Sequence, residues 1–332
     1  MKRKKDEDDD GYLYPSINMK FLFVIIILIS IVFTGIIVGA VNLFDELDNN
    51  SMNTSNNESN VSIIIIPAEN NTLLAPLPIG FNNNLSISVI DIGQGDAILL
   101  TKGNVSLMVD AGQSMRGTDC KNKLVSSISD PEIEYLLTTH QDYDHIGNAQ
   151  FIITNYKVGT FIDNGYIHTS KTYKELLNYV TSSKMQYRIV KTGDKINVWD
   201  DVIVTVVSPV KLTKDINENS IVLLVTYGDV KMLLTGDAGN AVEPAVAKLV
   251  GDIDVLKVGH HGSNSATSDE FLSVILPEVS IISVGADNSY GHPTQSVLNA
   301  LNVINSTVYR TDKCGTVTVD TDGKYYTILT EF

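Results

Sequence analysis

One stretch of ten residues, Thr138-Thr-His-Gln-Asp-Tyr-Asp-His-Ile-Gly147, constrains this chain more than any other. Within it stand four groups that bind metals: His140, Asp142, Asp144 and His145. The run Ile133–Leu137 leads straight into them, which predicts a short buried strand ending where the ligands begin. Imidazole and carboxylate together suit zinc, manganese or iron(II) better than calcium or magnesium. All six histidines fall between positions 140 and 292, so a single chemical centre is expected.

What precedes this region has a different character. Lys2–Lys5 is basic, Asp6–Asp10 is an acidic run, and Phe21–Val41 carries no charge. At about 1.5 Å per residue that segment spans a bilayer core of about 30 Å. Lys20 and the early basic residues lie before it, and Asp45, Glu46 and Asp48 lie after it. The positive-inside rule then puts residues 1–20 in the cytoplasm and the rest outside the cell membrane, with Phe21–Val41 as a single-pass anchor in the lipid bilayer. A cleaved signal peptide is the competing reading, with Val38-Gly-Ala40 as its small-residue site. Residues 42–84 are rich in Asn and Ser and read as a tether, because they bring too little apolar surface to fold. Residues 85–332 are expected to form the functional domain.

The net charge of −15 bears on partners. An acidic surface does not favour unspecific binding to nucleic acid, which depends on neutralising phosphates. The two cysteines, Cys120 and Cys314, match no zinc spacing, and a disulfide between them and two free thiols are both open.

Within 85–332 strands and amphipathic helices alternate. Leu85–Ile90 alternates polar and apolar residues. Ala97–Leu100 and Val105–Val109 form a hairpin ended by Asp110. Ser220–Thr226 and Val230–Leu234 form another, ended by Thr235-Gly-Asp237. Helical faces are predicted over Thr172–Val180, Ser268–Leu276 and Thr294–Leu301. Further strands are predicted over Asn197–Val207, Val279–Val284, Ser306–Tyr309, Thr316–Val319 and Tyr325–Leu329. Each hairpin is followed by an apolar strand running into a histidine-containing loop, His140–His145 in the first case and His260-His261 in the second. Such a duplication predicts two similar halves whose loops meet at one cleft.

Seven ordered pieces, VIDIGQGDAILL, MVDAG, TTHQDYDHIGN, NENSIVLLVTYG, LLTGDA, LKVGHHGSNSATS and ISVGADNSYGHP, resemble the metallo-β-lactamase superfamily, and within it the ComEC-type hydrolase domain of competence proteins. The resemblance spans residues 87–293. It implies an α/β fold, an αββα sandwich, with a one- or two-metal site at the strand ends. Carried over residue by residue, His140 and Asp142 bind the first metal, Asp144 and His145 bind the second, Asp237 bridges them and His261 completes the second site. His260 then faces the substrate, and Asp144 or His260 passes a proton. Asp142 stands where the superfamily usually has His, as is common in the ComEC-type group. Asn219 lies near the place of the superfamily's third-motif His. Asn219, Ser263 and His292 are the expected substrate contacts. Asp110 and Asp96 are expected to support the site from behind, and Lys257 to point away from it.

The resulting expectation is a membrane-anchored hydrolase with one or two divalent ions, zinc or manganese, that activate water against a phosphodiester. A nuclease acting on DNA or RNA and a non-catalytic surface binding module are the rival readings.

Overall fold

The strand signals resolve into two sheets. The computed structural model describes residues 65–67, 84–114 and 119–332, so the cytoplasmic tail, the Phe21–Val41 anchor and most of the tether lie outside the described residues. Among the described residues, no helix is long and apolar enough to cross a membrane.

The first sheet contains β1 (Ile65–Pro67), β2 (Leu85–Val89), β3 (Ile98–Lys102), β4 (Val105–Val109), β5 (Glu132–Leu137), β6 (Lys157–Asp163) and β7 (Gln186–Ile189). The second contains β8 (Lys195–Ile196), β9 (Val202–Ser208), β10 (Val222–Tyr227), β11 (Val230–Leu234), β12 (Val255–Lys257), β13 (Val279–Ile282) and β14 (Thr307–Arg310). The chain then returns to the first sheet as β15 (Val317–Thr321) and β16 (Tyr325–Thr330), giving the order β1-β16-β15-β2-β3-β4-β5-β6-β7. Within the stretch read as a tether, β1 pairs antiparallel with β16.

The duplication is visible in the pairing. In the first half β2/β3 and β3/β4 are antiparallel, while β4/β5, β5/β6 and β6/β7 are parallel. In the second half β9/β10 and β10/β11 are antiparallel, while β11/β12, β12/β13 and β13/β14 are parallel. Asp110 follows β4 and Asp237 follows β11; the His140–His145 loop follows β5 and His260-His261 follows β12. Corresponding strands therefore deliver corresponding groups at their carboxyl ends, the usual place for a site in parallel sheets.

Three apolar clusters define four layers. Leu85, Ile87 and Val89 from β2 alternate with half-exposed serines and meet Val204, Val206, Leu223 and Met232 between the sheets. On the outer face of the first sheet, Met108, Leu136 and Phe161 pack on Leu124 of α1 (Asp119–Ser127), Ile152 of α3 (Ala149–Asn155) and Tyr173 and Leu176 of α4 (Lys171–Ser182); α2 (Tyr143–Ile146) belongs to the ligand loop. On the outer face of the second, Leu233, Leu256 and Ile282 pack on Val246 of α5 (Glu243–Val250), Phe271 of α6 (Asp269–Ile275) and Leu301 of α7 (Gln295–Val303). Each fully buried Leu, Ile or Phe contributes roughly 1.5–3 kcal/mol.

Differences from the expected elements have local causes. Ser170 and Ser268 cap α4 and α6 by accepting from the backbone N–H groups of Tyr173 and Phe271, so each helix starts after its serine. The strand expected over Asn197–Val207 starts later, as β9 at Val202, and the residues before it form the turn from β8. The short helix α8 (Thr311–Cys314) holds Cys314 against the inter-sheet core, whereas Cys120 packs outside the first sheet; no disulfide joins them.

Candidate metal centre

The parallel strands bring residues far apart in sequence to one point. Leu137 ends β5 and the chain turns through His140 and Asp142 into α2, which carries Asp144 and His145. From the other half, β11 ends at Leu234 just before Asp237, and β12 ends at Lys257 just before the histidine pair. His260 and His261 both adopt left-handed backbone conformations, with φ of 48° and 55°, and Asp110 has a φ of 58°. Each such residue costs about 1–3 kcal/mol, which the surrounding core must offset. The two turned residues send one ring inward, leaving His261 with 2% of its side chain exposed, and one toward the opening, leaving His260 with 26%.

Asp237 stands at the centre. Its Oδ1 lies 3.3 Å from His145 Nε2, and its Oδ2 lies 3.5 Å from His261 Nε2, 3.7 Å from His260 Nε2 and 3.9 Å from His140 Nε2. Asp144 Oδ2 is 3.4 Å from His261 Nε2, and Asp142 Oδ2 is 3.6 Å from His140 Nε2. Ligand atoms of His140, His145 and Asp237 lie within 4.8 Å of one another, as do those of Asp144, His145 and His261. His145 thus takes part in both groups, where the resemblance assigns it to one. Buried His140 Nε2, His145 Nε2, His261 Nε2 and Asp237 Oδ1 have no hydrogen-bond partner. Leaving such groups unpaired costs about 1–3 kcal/mol each. Their convergence, with imidazole and carboxylate donors only, fits a divalent ion of the zinc, manganese or iron type.

The opposite ring nitrogens are occupied, which leaves the inward ones available. Asp110 Oδ2 is 2.8 Å from His145 Nδ1 and also accepts from Thr139 Oγ1 at 2.7 Å, while its Oδ1 accepts from Thr139 N. His261 Nδ1 is 3.0 Å from the carbonyl oxygen of Ser283, and His260 Nδ1 is 3.0 Å from Ser265 Oγ. Partners of this kind fix ring tautomer and orientation at metal sites. Lys257, expected to point away, instead reaches behind His261: its Nζ lies 2.9 Å from Asp96 Oδ2, and Asp96 Oδ1 lies 3.5 Å from His261 Nδ1. Glu243 grips the same loop by accepting from the backbone N–H groups of Thr267 and Ser268, and Thr267 Oγ1 accepts from Gly259 N.

Among the expected substrate contacts, Asn219 is fully buried and its amide is committed to Thr213, accepting from the backbone N–H and donating to the carbonyl. It locks a loop and does not present its side chain at the opening. Ser263 Oγ contacts Ser265 Oγ at 3.0 Å and so supports the group that orients His260. The His292 ring lies 5.8 Å from that of His260, beside the cluster. Asp142 is the most open of the acids, with 41% of its side chain exposed. Ser220, Ser265 and Ser283 escaped sequence reading. Nothing distinguishes such serines from loop serines until the fold places them on a histidine or, as with Ser220 Oγ, 3.2 Å from Asp237 N.

Burial works to lower the pKa of His145, but the carboxylates of Asp237 and Asp110 outweigh it and hold the ring well above the usual imidazole range. His261 is raised in the same way, against burial, by Asp237 and Asp144. Burial lowers His260. Asp237 is held below the usual carboxylate range because the imidazoles of His261 and His145 overcome its burial, and Asp144 is lowered by His261 and His145 despite its own burial. Without metal both rings hold a proton more tightly than an ordinary imidazole does, and a bound metal must displace it. Affinity for zinc or manganese is expected to rise from pH 5.5 to 7.5, by about one log unit per pH unit for each proton released. Calorimetry in buffers of different protonation enthalpy checks this; an affinity flat with pH would show that these rings are not ligands.

Comparison with known proteins follows the same outline. Residues 90–286 match the model of the Metallo-beta-lactamase superfamily. The sequence is 34% identical over 238 residues to Recombination protein 2 of Haemophilus influenzae, covering 70% of this chain and 28% of that protein. It is 32% identical over 255 residues to ComE operon protein 3 of Bacillus subtilis, covering 70% of this chain and 32% of that one. The chain thus spans less than a third of these relatives. Among solved structures, the metallo-beta-lactamase fold protein YhfI from Bacillus subtilis superposes with a TM-score of 0.50 at 11% identity, covering 71% of this chain and 100% of that one. CmlA, a diiron beta-hydroxylase from Streptomyces venezuelae, superposes with a TM-score of 0.51 at 13% identity, covering 74% of this chain and 55% of that one. At these identities the likeness is one of fold.

Proposed function

This chain belongs to the metallo-β-lactamase superfamily, a group of mostly metal-dependent hydrolases, and from that premise we propose that it is a membrane-anchored phosphodiesterase whose domain faces the outside of the cell. The observation that carries the hydrolase reading is the convergence of unpaired, buried His140, His145, His261 and Asp237 atoms on one point. His140, His145 and Asp237 would hold an ion, with Asp142 beside His140; Asp144 and His261 form a second group around the same His145, whose Nε2 has one lone pair and would serve one ion at a time. Bound divalent ions supply an activated water and stabilise charge that develops on the substrate.

The chain's own residues do the remaining work. Asp110 and the Ser283 carbonyl hold the His145 and His261 rings so that their Nε2 atoms point inward. Ser265 aims His260 across the opening, where its imidazole is placed to move a proton to the departing alkoxide. Ser263 braces that serine, its Oγ lying 3.0 Å from Ser265 Oγ and accepting from Ser265 N. The similarity to Recombination protein 2 and ComE operon protein 3 supports a phosphodiester over an acyl substrate. The uncharged Phe21–Val41 segment, with basic residues before it, supports the anchor.

The test is hydrolysis of bis-p-nitrophenyl phosphate by the full chain in detergent, loaded with zinc or manganese and then stripped with chelator. Turnover that vanishes on chelation and returns on reloading is expected. A metal-loaded protein that leaves the diester intact while opening lactone or β-lactam rings would overturn the phosphodiesterase reading.

A further inference from the structure

We propose that Asn164 is a positioning residue that aims His140 into the metal centre and ties it to the second half of the domain. This rests on the reading of His140, His145 and Asp237 as an ion site, and adds the group that sets the direction of one ligand. Asn164 follows β6 directly and is 2% exposed.

His140 is held unlike the other rings of the cluster. His145, His261 and His260 each have a close partner at Nδ1, respectively Asp110, the Ser283 carbonyl and Ser265. His140 Nδ1 instead lies 3.1 Å from Thr139 Oγ1 and 3.5 Å from Ser220 Oγ. The Thr139 hydroxyl gives its one proton to Asp110 Oδ2, so toward His140 it can only accept. The contact with Ser220 is at the limit of hydrogen-bond length. The direction of the His140 ring is therefore set mainly by the backbone that carries it.

Asn164 grips that backbone on both sides of His140. Its Nδ2 donates to the Thr139 carbonyl at 3.2 Å, and its Oδ1 accepts from Gln141 Nε2 at 2.7 Å. Nδ2 also donates to the Asn219 carbonyl at 2.8 Å, and Oδ1 also accepts from Tyr166 N at 2.9 Å. Two carbonyls and a backbone N–H admit one orientation of the amide, and both its protons and both its acceptor positions are used. Beyond Asn219 the circuit closes on the centre. Ser220 Oγ accepts from Asp237 N at 3.2 Å, and Ile221 N donates to the same Thr139 carbonyl at 2.9 Å. One amide thus joins the His140 loop to the half that supplies Asp237. The amide is itself fixed, because Asp163 before it accepts from Tyr173 Oη at 2.9 Å, Tyr187 Oη at 2.8 Å and Gly165 N at 2.8 Å. A carboxylate at position 164 has no proton for the two carbonyls, and an apolar side chain answers none of the four groups.

The experiment titrates zinc into the metal-stripped full chain in detergent, with affinity read by competition against a chromophoric chelator. Asn164→Ala and Asn164→Asp are each expected to weaken the ion that depends on His140 about 10- to 100-fold. Leu176→Ala, which opens a cavity in the outer cluster away from this loop, controls for lost stability and should bind within about threefold of wild type. The deciding reading is the double variant Asn164→Ala with His140→Ala. Because Asn164 acts through His140, that protein should bind at most about twofold more weakly than His140→Ala alone. Losses that multiply would show that Asn164 acts elsewhere, and the proposal falls. It falls also if both Asn164 variants bind as Leu176→Ala does. Should Asn164→Ala fail to fold, Asn164→Asp, which keeps the acceptor toward Gln141 and Tyr166, is paired with His140→Ala in the same comparison. If wild type takes up no zinc, or His140→Ala binds as wild type does, the ion-site reading falls and the proposal with it.

Discussion

Asp237→Ala is expected to abolish stoichiometric metal binding and to lower turnover of bis-p-nitrophenyl phosphate at least about a thousandfold. Loss of about 4 kcal/mol of charge stabilisation corresponds to roughly that factor. The carboxylate is nearly fully buried and lies within 3.9 Å of an inward nitrogen from each of His140, His145, His260 and His261. Among the described residues it is the carboxylate these four rings share. Removing it also removes the largest attraction that raises His145 and His261 against their burial. Asp142→Ala is the informative contrast. That acid is 41% exposed and contacts only His140 within the cluster, at 3.6 Å, so its loss should weaken one ion and leave measurable turnover. Elemental analysis of purified variants beside turnover decides the matter. An Asp237→Ala protein that retains metal and works within tenfold of wild type would remove this residue from the centre.

Spacing alone makes Asp142 and Asp237 equally good carboxylates; the resemblance is what set Asp237 between the metals and Asp142 at one of them. What could be read was local or repeated. His140–His145 follows an apolar strand directly, and the hairpin–Asp–strand–His order recurs, so the two halves and their meeting loops could be anticipated. Strands β6 and β7 escaped because Gly159 interrupts one, and three of the four residues of the other are exposed, so neither shows an apolar period. Helix α5 escaped because Pro244 reads as a breaker unless it is recognised as belonging to a first turn. Asn219 was misleading for a different reason. An amide in a loop near a site reads as a ligand contact, but nothing in the sequence says that Thr213 will engage both ends of it. The approach of His292 to His260 depends on two loops folding against each other through Gly262 and Pro293, which no spacing rule expresses.

The buried pair Asp96–Lys257 was the least legible element, and the largest stability effect is expected there. Lys257 lies in β12, all three of whose residues are buried, where a lysine is a poor fit unless its charge is met. It is met by Asp96 from the other half of the domain, so this pair joins the two halves directly behind His261. Lys257→Met keeps length and apolar stem but takes from the Asp96 carboxylate, 1% exposed, its lysine partner. Breaking one side of a buried pair costs about 3–5 kcal/mol. Asp96→Asn should cost a similar amount by stranding the ammonium, whose other close contact is the Val258 carbonyl at 2.9 Å. The double variant Asp96→Asn with Lys257→Met removes both charges and should be destabilised by less than the sum of the two, with a coupling of about 1–3 kcal/mol. Denaturant unfolding in the presence of chelator separates this from metal binding, which stabilises the folded state on its own. Strict additivity would mean that the two charges do not depend on each other. If instead the pair also serves the centre, the double variant will fold yet bind metal about 10- to 100-fold more weakly, because the carboxylate 3.5 Å from His261 Nδ1 is then gone.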